Sequence, residues 1–591
     1  MLYLICRTYH RYMLDKFRIW RNNFMNKFEI KDNFYLNEKP FKVISGAIHY
    51  FRVVPEYWVD RLEKLKALGC NTVETYIPWN LHEPRKGQYN FDGIRDFVTF
   101  IRKAQELGLY VIVRPSPYIC AEWEFGGLPS WLLAEEGMKL RINYAPFLKH
   151  VDEYYSVLIP MLVPLQINNG GPVIMMQIEN EYGYYANDKD YMIAIKDMML
   201  KYGVSVPLIT SDGPFKENLN GGVVKGVLPT GNFGSRTEER FKTLSEYTEG
   251  GPLMCSEFWV GWFDHWGNGG HMTGNLEESV KDLDKMLEMG HVNIYMFIGG
   301  TNFGFMNGSN YYDALTPDVT SYDYDAILTE DGQITEKYRQ YQKVIGRYNP
   351  LPEVKLSTEI NRKEYGKLTV KEQVSLFSIL EDISTPISSP YTQSMEKLGQ
   401  DYGYILYHST LDTEESIEKI RLWGANDRAN IFVDQNNILT LYDRELLEES
   451  SVRVSFEKGA SLDILVENMG RVNFGPRMEL QRKGIDHCVQ INGHIHNGWK
   501  QYPLPLTNIE KVDFTKEYKK ESPAFHRFTF VAEDLGDTFL DFSGWGKGCV
   551  FVNGVNIGRF WEIGPQKRLY IPAPLLKLGE NEIIIFETEG K

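Results

Sequence analysis

The residues best placed to do chemistry in this chain are two glutamates, each closing a short apolar run. Glu181 follows Gly170-Gly171-Pro172-Val173-Ile174-Met175-Met176-Gln177-Ile178-Glu179-Asn180 and precedes Tyr182-Gly183. That run reads as a buried parallel strand delivering an Asn-Glu pair at its C-terminal end. Glu257 follows Pro252-Leu253-Met254-Cys255-Ser256 and is itself followed by Phe258-Trp259. Carboxylates at strand C-termini sit among the loops that form the active site of a barrel enzyme. Two of them, with aromatic residues nearby, suit hydrolysis of a glycosidic bond by an acid/base and a nucleophile. Such a pair works only if its surroundings hold one member protonated and the other ionised. In the retaining version the two lie about 5–5.5 Å apart. The Asn180 amide strengthens the case, because it can hydrogen-bond a sugar 2-hydroxyl. Glu179 is expected to be structural, facing the other side of the strand if alternation holds.

Positioning such a pair needs a repeated strand and helix pattern, and the first 345 residues supply one. Eight strands are expected, at Phe41–Ala47, Thr72–Ile77, Tyr110–Arg114, Val173–Ile178, Pro207–Thr210, Lys225–Leu228, Leu253–Ser256 and Asn293–Ile298. Amphipathic segments such as Trp58–Leu68 and Asp96–Leu107 lie between them, closed by Gly69 and Gly108. Eight alternations fit an α/β fold of the (β/α)8 TIM barrel type better than an open doubly wound sheet. No G-x-G-x-x-G follows an early strand, which weakens a dinucleotide fold further. After Tyr348-Asn349-Pro350-Leu351-Pro352 the helical period fades into short β-rich runs with turn residues between them. Asn430–Ile438 resembles Cys549–Gly558, each a hydrophobic strand entering a hairpin turn. The expected organisation is a tail at 1–25, a catalytic barrel at 26–345, and two all-β sandwich domains at 346–489 and 490–591.

Composition narrows the function. A net charge of −15 argues against nucleic acid, whose binders present basic stripes. The six cysteines show no CxxC spacing, hence no zinc signature and no obvious disulfide framework. No run of some 18 apolar residues indicates a membrane span. Residues 1–24 carry Arg7, Arg11, Lys16, Arg18 and Arg21 without an apolar core, so they make a poor signal peptide. The enzyme is accordingly expected to be cytoplasmic.

Across the barrel the chain resembles glycoside hydrolase family 35, the β-galactosidases with a retaining barrel. The resemblance runs through Gly170–Tyr182, Ser45–Arg52, Thr75–Pro84, Arg114–Glu124, Ser256–Trp259, Tyr295–Gly304 and Thr320–Asp325, in order. It implies Glu181 as acid/base and Glu257 as nucleophile. It places galactose contacts on Tyr76, Cys120, Ala121, Glu122, Asn180, Trp262, Tyr295 and Tyr324. Trp262 can offer an aromatic face to the sugar, Tyr76 and Glu122 can hydrogen-bond its hydroxyls, and Tyr295 could hold Glu257 ionised and aligned. The resemblance further implies galactose-binding-like jelly rolls for the β-domains, a β-galactoside oligosaccharide substrate with a preference for β1,3 linkage, a homodimer, and no cofactor or metal.

Other features have plainer readings. Cys120 is expected to be a buried thiol, since no His/Asp arrangement accompanies it. His494-Ile495-His496 reads as a solvated strand rather than a metal site. Gly299–Gly304 reads as a tight turn after a strand, because it lacks the Lys-Ser/Thr ending of a phosphate loop. Trp499, Trp545 and Trp561 are expected to pack between the β-modules rather than to form a carbohydrate-binding face.

Overall fold

The computed structural model describes residues 26–356, 360–413 and 415–591. The expected tail and its basic stretch lie outside the described residues. Eight parallel strands close into a barrel in chain order. They are β1 (Ile44–Ile48), β2 (Thr72–Tyr76), β3 (Tyr110–Arg114), β4 (Val173–Gln177), β5 (Leu208–Asp212), β6 (Leu228–Asn232), β7 (Met254–Trp259) and β8 (His291–Ile298). Nearly every strand residue is buried, because helices cover the outside and side chains fill the inside.

Local chemistry explains the elements between the strands. The helix Trp58–Leu68 stops at Gly69, whose φ of 103° suits glycine alone and whose N–H caps the Lys66 carbonyl. A Cβ there would come within 2.7 Å of Ile345, so the turn is also fixed by packing. The helix Phe97–Glu106 starts where the Asp96 side chain accepts the Thr99 N–H at 2.9 Å. The sixth strand departs from expectation: it is Leu228-Pro229-Thr230-Gly231-Asn232, not Lys225–Leu228. Proline, glycine and asparagine disguise it, and its neighbours hold it instead, with Thr230 Oγ1 donating to the Thr210 carbonyl at 2.7 Å.

The C-terminal half forms two β-sandwich modules. In the first, a six-stranded sheet faces a four-stranded one across a core that includes Ile405, Tyr407, Leu422, Ile464, Val489 and Trp499. The division expected at 490 falls inside this module. Gly484–Ile491 pairs with His494–His496, and Trp499–Leu504 pairs with Tyr404–Leu411. Conversely, Glu372–Ser375 leaves the first half to pair with Ala524–Ala532 of the second module. Hydrophobic runs locate strands but not the sheet each joins, which is why the boundary was misplaced. The two hairpins suspected from sequence are Arg428–Val433 with Asn436–Tyr442, and Lys547–Val552 with Val555–Trp561. Each turns through two residues with positive φ, Asp434-Gln435 and Asn553-Gly554. Trp499 is buried in the first core. Trp545 packs on Phe528, Phe542 and Phe560, and Trp561 meets Tyr442 across the two modules.

Buried ion pairs and hydrogen bonds dock the modules against the barrel. Arg471, fully buried, spans Glu124 of the barrel and Glu396 of the first sandwich, at 2.5 Å each. Tyr57 of the barrel donates to Asp537 of the second module at 2.6 Å. The segment following Arg471 thereby reaches the C-terminal mouth of the barrel, where Tyr118 donates to the Asn473 carbonyl at 2.5 Å.

Candidate active site

A cleft opens at the C-terminal ends of the strands. All ten residues singled out from sequence line it: Tyr76, Cys120, Ala121, Glu122, Asn180, Glu181, Glu257, Trp262, Tyr295 and Tyr324. Ile119, Tyr184, Trp259, Phe263, Asn310, Tyr312 and Phe474 complete the wall.

Glu181 and Glu179 are sorted by backbone conformation, not by strand alternation. Residues two apart on a continuing strand would share a face. Here β4 ends at Gln177, and both glutamates take left-handed φ, 53° at Glu179 and 45° at Glu181. Glu179 turns into a buried bidentate pair with Arg141, at 2.8 and 2.9 Å, and accepts from Tyr191. It is a structural ion pair. Glu181 turns into the cleft, where its Oε1 accepts the Asn232 amide at 3.0 Å. Burial, and next the charge of Glu257, push its carboxyl up to about 8. A carboxyl so placed carries a proton at neutral pH.

Glu257 lies in β7 where the register shifts against both neighbouring strands, an irregularity that re-aims a side chain. Its surroundings are the opposite of those of Glu181. Arg114 Nη2 lies 2.6 Å from Oε1, the Tyr76 hydroxyl donates to the same oxygen at 2.8 Å, and Trp259 Nε1 donates to Oε2 at 3.0 Å. Arg114 and Tyr76 also donate to Asn180 Oδ1, at 2.5 and 3.1 Å. Asn180 is therefore fixed with its amide nitrogen as donor toward the cleft.

The role expected for Tyr295 is filled by other residues. Its hydroxyl lies 3.4 Å from that of Tyr322, while Tyr76, Arg114 and Trp259 hold Glu257. Tyr322 in turn donates to Glu122 at 2.6 Å, and the Asn473 amide reaches the other Glu122 oxygen at 3.4 Å. Burial raises Glu122 to about 7 against these donors and Arg52. Cys120, Ala121 and Glu122 form three consecutive left-handed residues, with φ of 58°, 59° and 49°. That conformation costs on the order of 1 kcal/mol or more per residue. The Arg52 guanidinium holds it at the Ala121 carbonyl (2.5 Å), and the Gly308 N–H holds it at the Glu122 carbonyl (2.9 Å). Burial drives the Cys120 thiol well above its usual range, which favours the neutral thiol. Trp262 stays 38% exposed at the rim, edge-on to Trp259 and stacked on Phe263.

Arg114, Asn232 and Phe474 are not among the site residues expected from sequence. Arg114 stood inside a motif already noted, at the C-terminal end of a strand, and its charge in an apolar run was the available signal. Asn232 was hidden in the disguised sixth strand. Phe474 gave no signal, because it arrives from the first sandwich. Among the described residues no cluster of three or more His, Cys, Asp or Glu side chains could hold a metal ion. His496 lies 2.9 Å from the Ser409 hydroxyl.

Barrel, cleft and appended modules together define a glycoside hydrolase. The chain belongs to glycosyl hydrolases family 35, which residues 33–348 match. Residues 392–505 match the family described as beta-galactosidase, first all-beta domain, and residues 523–581 the beta-galactosidase, galactose-binding domain. Relatives include Beta-galactosidase-1-like protein 2 of Homo sapiens, 41% identical over 94% of this chain and 88% of its own length. Beta-galactosidase of Xanthomonas manihotis is 40% identical, covering 91% and 90%. Beta-galactosidase 17 of Arabidopsis thaliana is 39% identical, covering 95% and 87%.

Proposed function

We propose that this chain is a retaining exo-β-galactosidase that removes terminal β-D-galactose from oligosaccharides, with Glu257 as nucleophile and Glu181 as acid/base. The observation that carries the reading is the contrast between two glutamates in one cleft. One is a buried carboxyl raised to about 8, and the other is paired with Arg114 and held by two further donors. The names of the relatives support the galactoside.

In the first step a Glu257 oxygen bonds to the anomeric carbon as the bond to the aglycone oxygen breaks. Glu181 gives that oxygen its proton. The ester consumes the Glu257 charge, which is the second largest cause of the raised Glu181 value. Glu181, now a carboxylate in a less hostile field, then takes a proton from water as the water oxygen attacks the same carbon. The ester bond breaks and galactose leaves with its β configuration kept. Asn180, oriented by Arg114 and Tyr76, donates to the sugar 2-hydroxyl. The β1,3 preference belongs to the same proposal, and Tyr184, Tyr312 and Phe474 would form the aglycone side of the cleft.

Proton NMR during hydrolysis of an aryl β-D-galactoside tests this reading. The expected first product is β-galactose, with no release by Glu257→Gln. Initial release of α-galactose, or faster turnover of an aryl N-acetyl-β-glucosaminide, would overturn it.

A further inference from the structure

Beneath the nucleophile a second carboxyl shares its arginine. Glu74 projects into the barrel from β2, fully buried. Its Oε1 lies 3.7 Å from Arg114 Nε, too far for a hydrogen bond, while the other end of that guanidinium is bonded to Glu257. Asn293 of β8 donates weakly to Glu74 Oε2 at 3.4 Å. Glu74 Oε1 and Arg114 Nε and Nη1 have no hydrogen-bond partner among the described residues. The charged groups around this carboxyl are Arg114 of β3 and Glu257 of β7, with the Tyr76 hydroxyl on its own strand; His49 and Tyr295 surround the guanidinium.

One buried cation thus faces two carboxyl groups, and the catalytic cycle neutralises one of them. When Glu257 becomes an ester, Arg114 loses its counter-ion, and an uncompensated buried charge is costly. We propose that Glu74 is a positioning residue for the nucleophile, serving as the alternate counter-ion of Arg114 while the sugar is esterified to Glu257. In the free enzyme the guanidinium pairs with Glu257, and in the covalent intermediate it pairs with Glu74. Burial holds Glu74 near 7, with the Arg114 charge pulling down and the Glu257 charge pushing up. Loss of the Glu257 charge therefore favours ionisation of Glu74. Any proton still on Glu74 passes to solvent at that stage. This inference rests on Glu257 being the nucleophile.

Trapping with dinitrophenyl 2-deoxy-2-fluoro-β-galactoside isolates the step. A Glu257 oxygen bonds to the anomeric carbon, and the bond to dinitrophenolate breaks with its electron pair leaving on that group, so no help from Glu181 is needed. Wild type should be labelled at Glu257; absence of labelling there would sink the nucleophile assignment itself. Given labelling, Glu74→Gln should match wild type near pH 5 and fall behind it by about tenfold or more near pH 8, where only wild type can supply the anion. Glu74→Asp keeps the charge and should recover the same slope against pH, even if looser packing lowers the rate. Equal rates for wild type and Glu74→Gln at every pH overturn the inference. So does a uniform slowing that leaves the pH dependence unchanged, or a Glu74→Asp profile as flat as that of the amide.

Discussion

The two walls of the cleft solve opposite problems. On the β7 side, a cation, a phenol and an indole converge on Glu257. On the β4 side, Glu181 meets one amide, and burial and the charge of Glu257 act against its ionisation. The same side chain is held as an ion-paired carboxylate at one wall and as a protonated acid at the other. What differs is the donors supplied, so chemistry is assigned by surroundings and not by residue type.

Removing the charge at the donor-rich wall should have the largest effect. Glu257→Gln is expected to lower kcat by at least about 10⁴-fold, measured with an activated aryl galactoside. At the other wall, Glu181→Gln should cost about 10²- to 10⁴-fold with poor leaving groups. With dinitrophenolate the first step should survive, and added azide should restore turnover and give β-galactosyl azide. Were azide to leave Glu181→Gln unchanged, the two walls would not differ as described. Tyr76→Phe removes a single donor to the carboxylate and should cost roughly ten- to a hundredfold in kcat/KM, with the fold retained.

Smaller changes sharpen the contrast. Glu181 must carry its proton for the first step, so kcat/KM for a substrate with a poor leaving group should fall as pH rises through about 8. The Asn232 amide lowers that value, and Asn232→Ala should move the alkaline limb upward. The linked effect on stability has a definite sign. The folded state keeps the Glu181 proton longer than the unfolded chain does, so stability is lost between about 4.5 and 8 as pH rises. Glu181→Gln should therefore raise Tm at pH 8 and leave it nearly unchanged at pH 4.5, trading activity for stability.

Much of this was legible in the sequence, for physical reasons. Barrel strands such as Tyr110–Arg114 and Val173–Gln177 are almost wholly buried and read as short apolar runs, and the glutamates that follow two such runs stand out by contrast. The reading failed where local pattern does not set structure. Leu228–Asn232 is a strand by virtue of its neighbours. Glu179 and Glu181 diverge through left-handed backbone that no alternation rule anticipates. Tyr76, and not Tyr295, bonds Glu257, because which strand-end hydroxyl points at a carboxylate depends on the register of the closed barrel and not on local sequence. The 490 boundary fell within a hairpin because strand order in a sandwich depends on distant pairing.

The Arg471–Phe474 segment ties the inheritance of the parts together. Its arginine is locked to Glu124, its asparagine reaches Glu122 and Cys120, and its phenylalanine forms part of the cleft wall. A barrel cut free after its last helix would lose both a wall and a support of its sugar pocket. Exchange of modules between related enzymes must then carry this segment and its barrel partners together, so recombination is constrained to move them as one block.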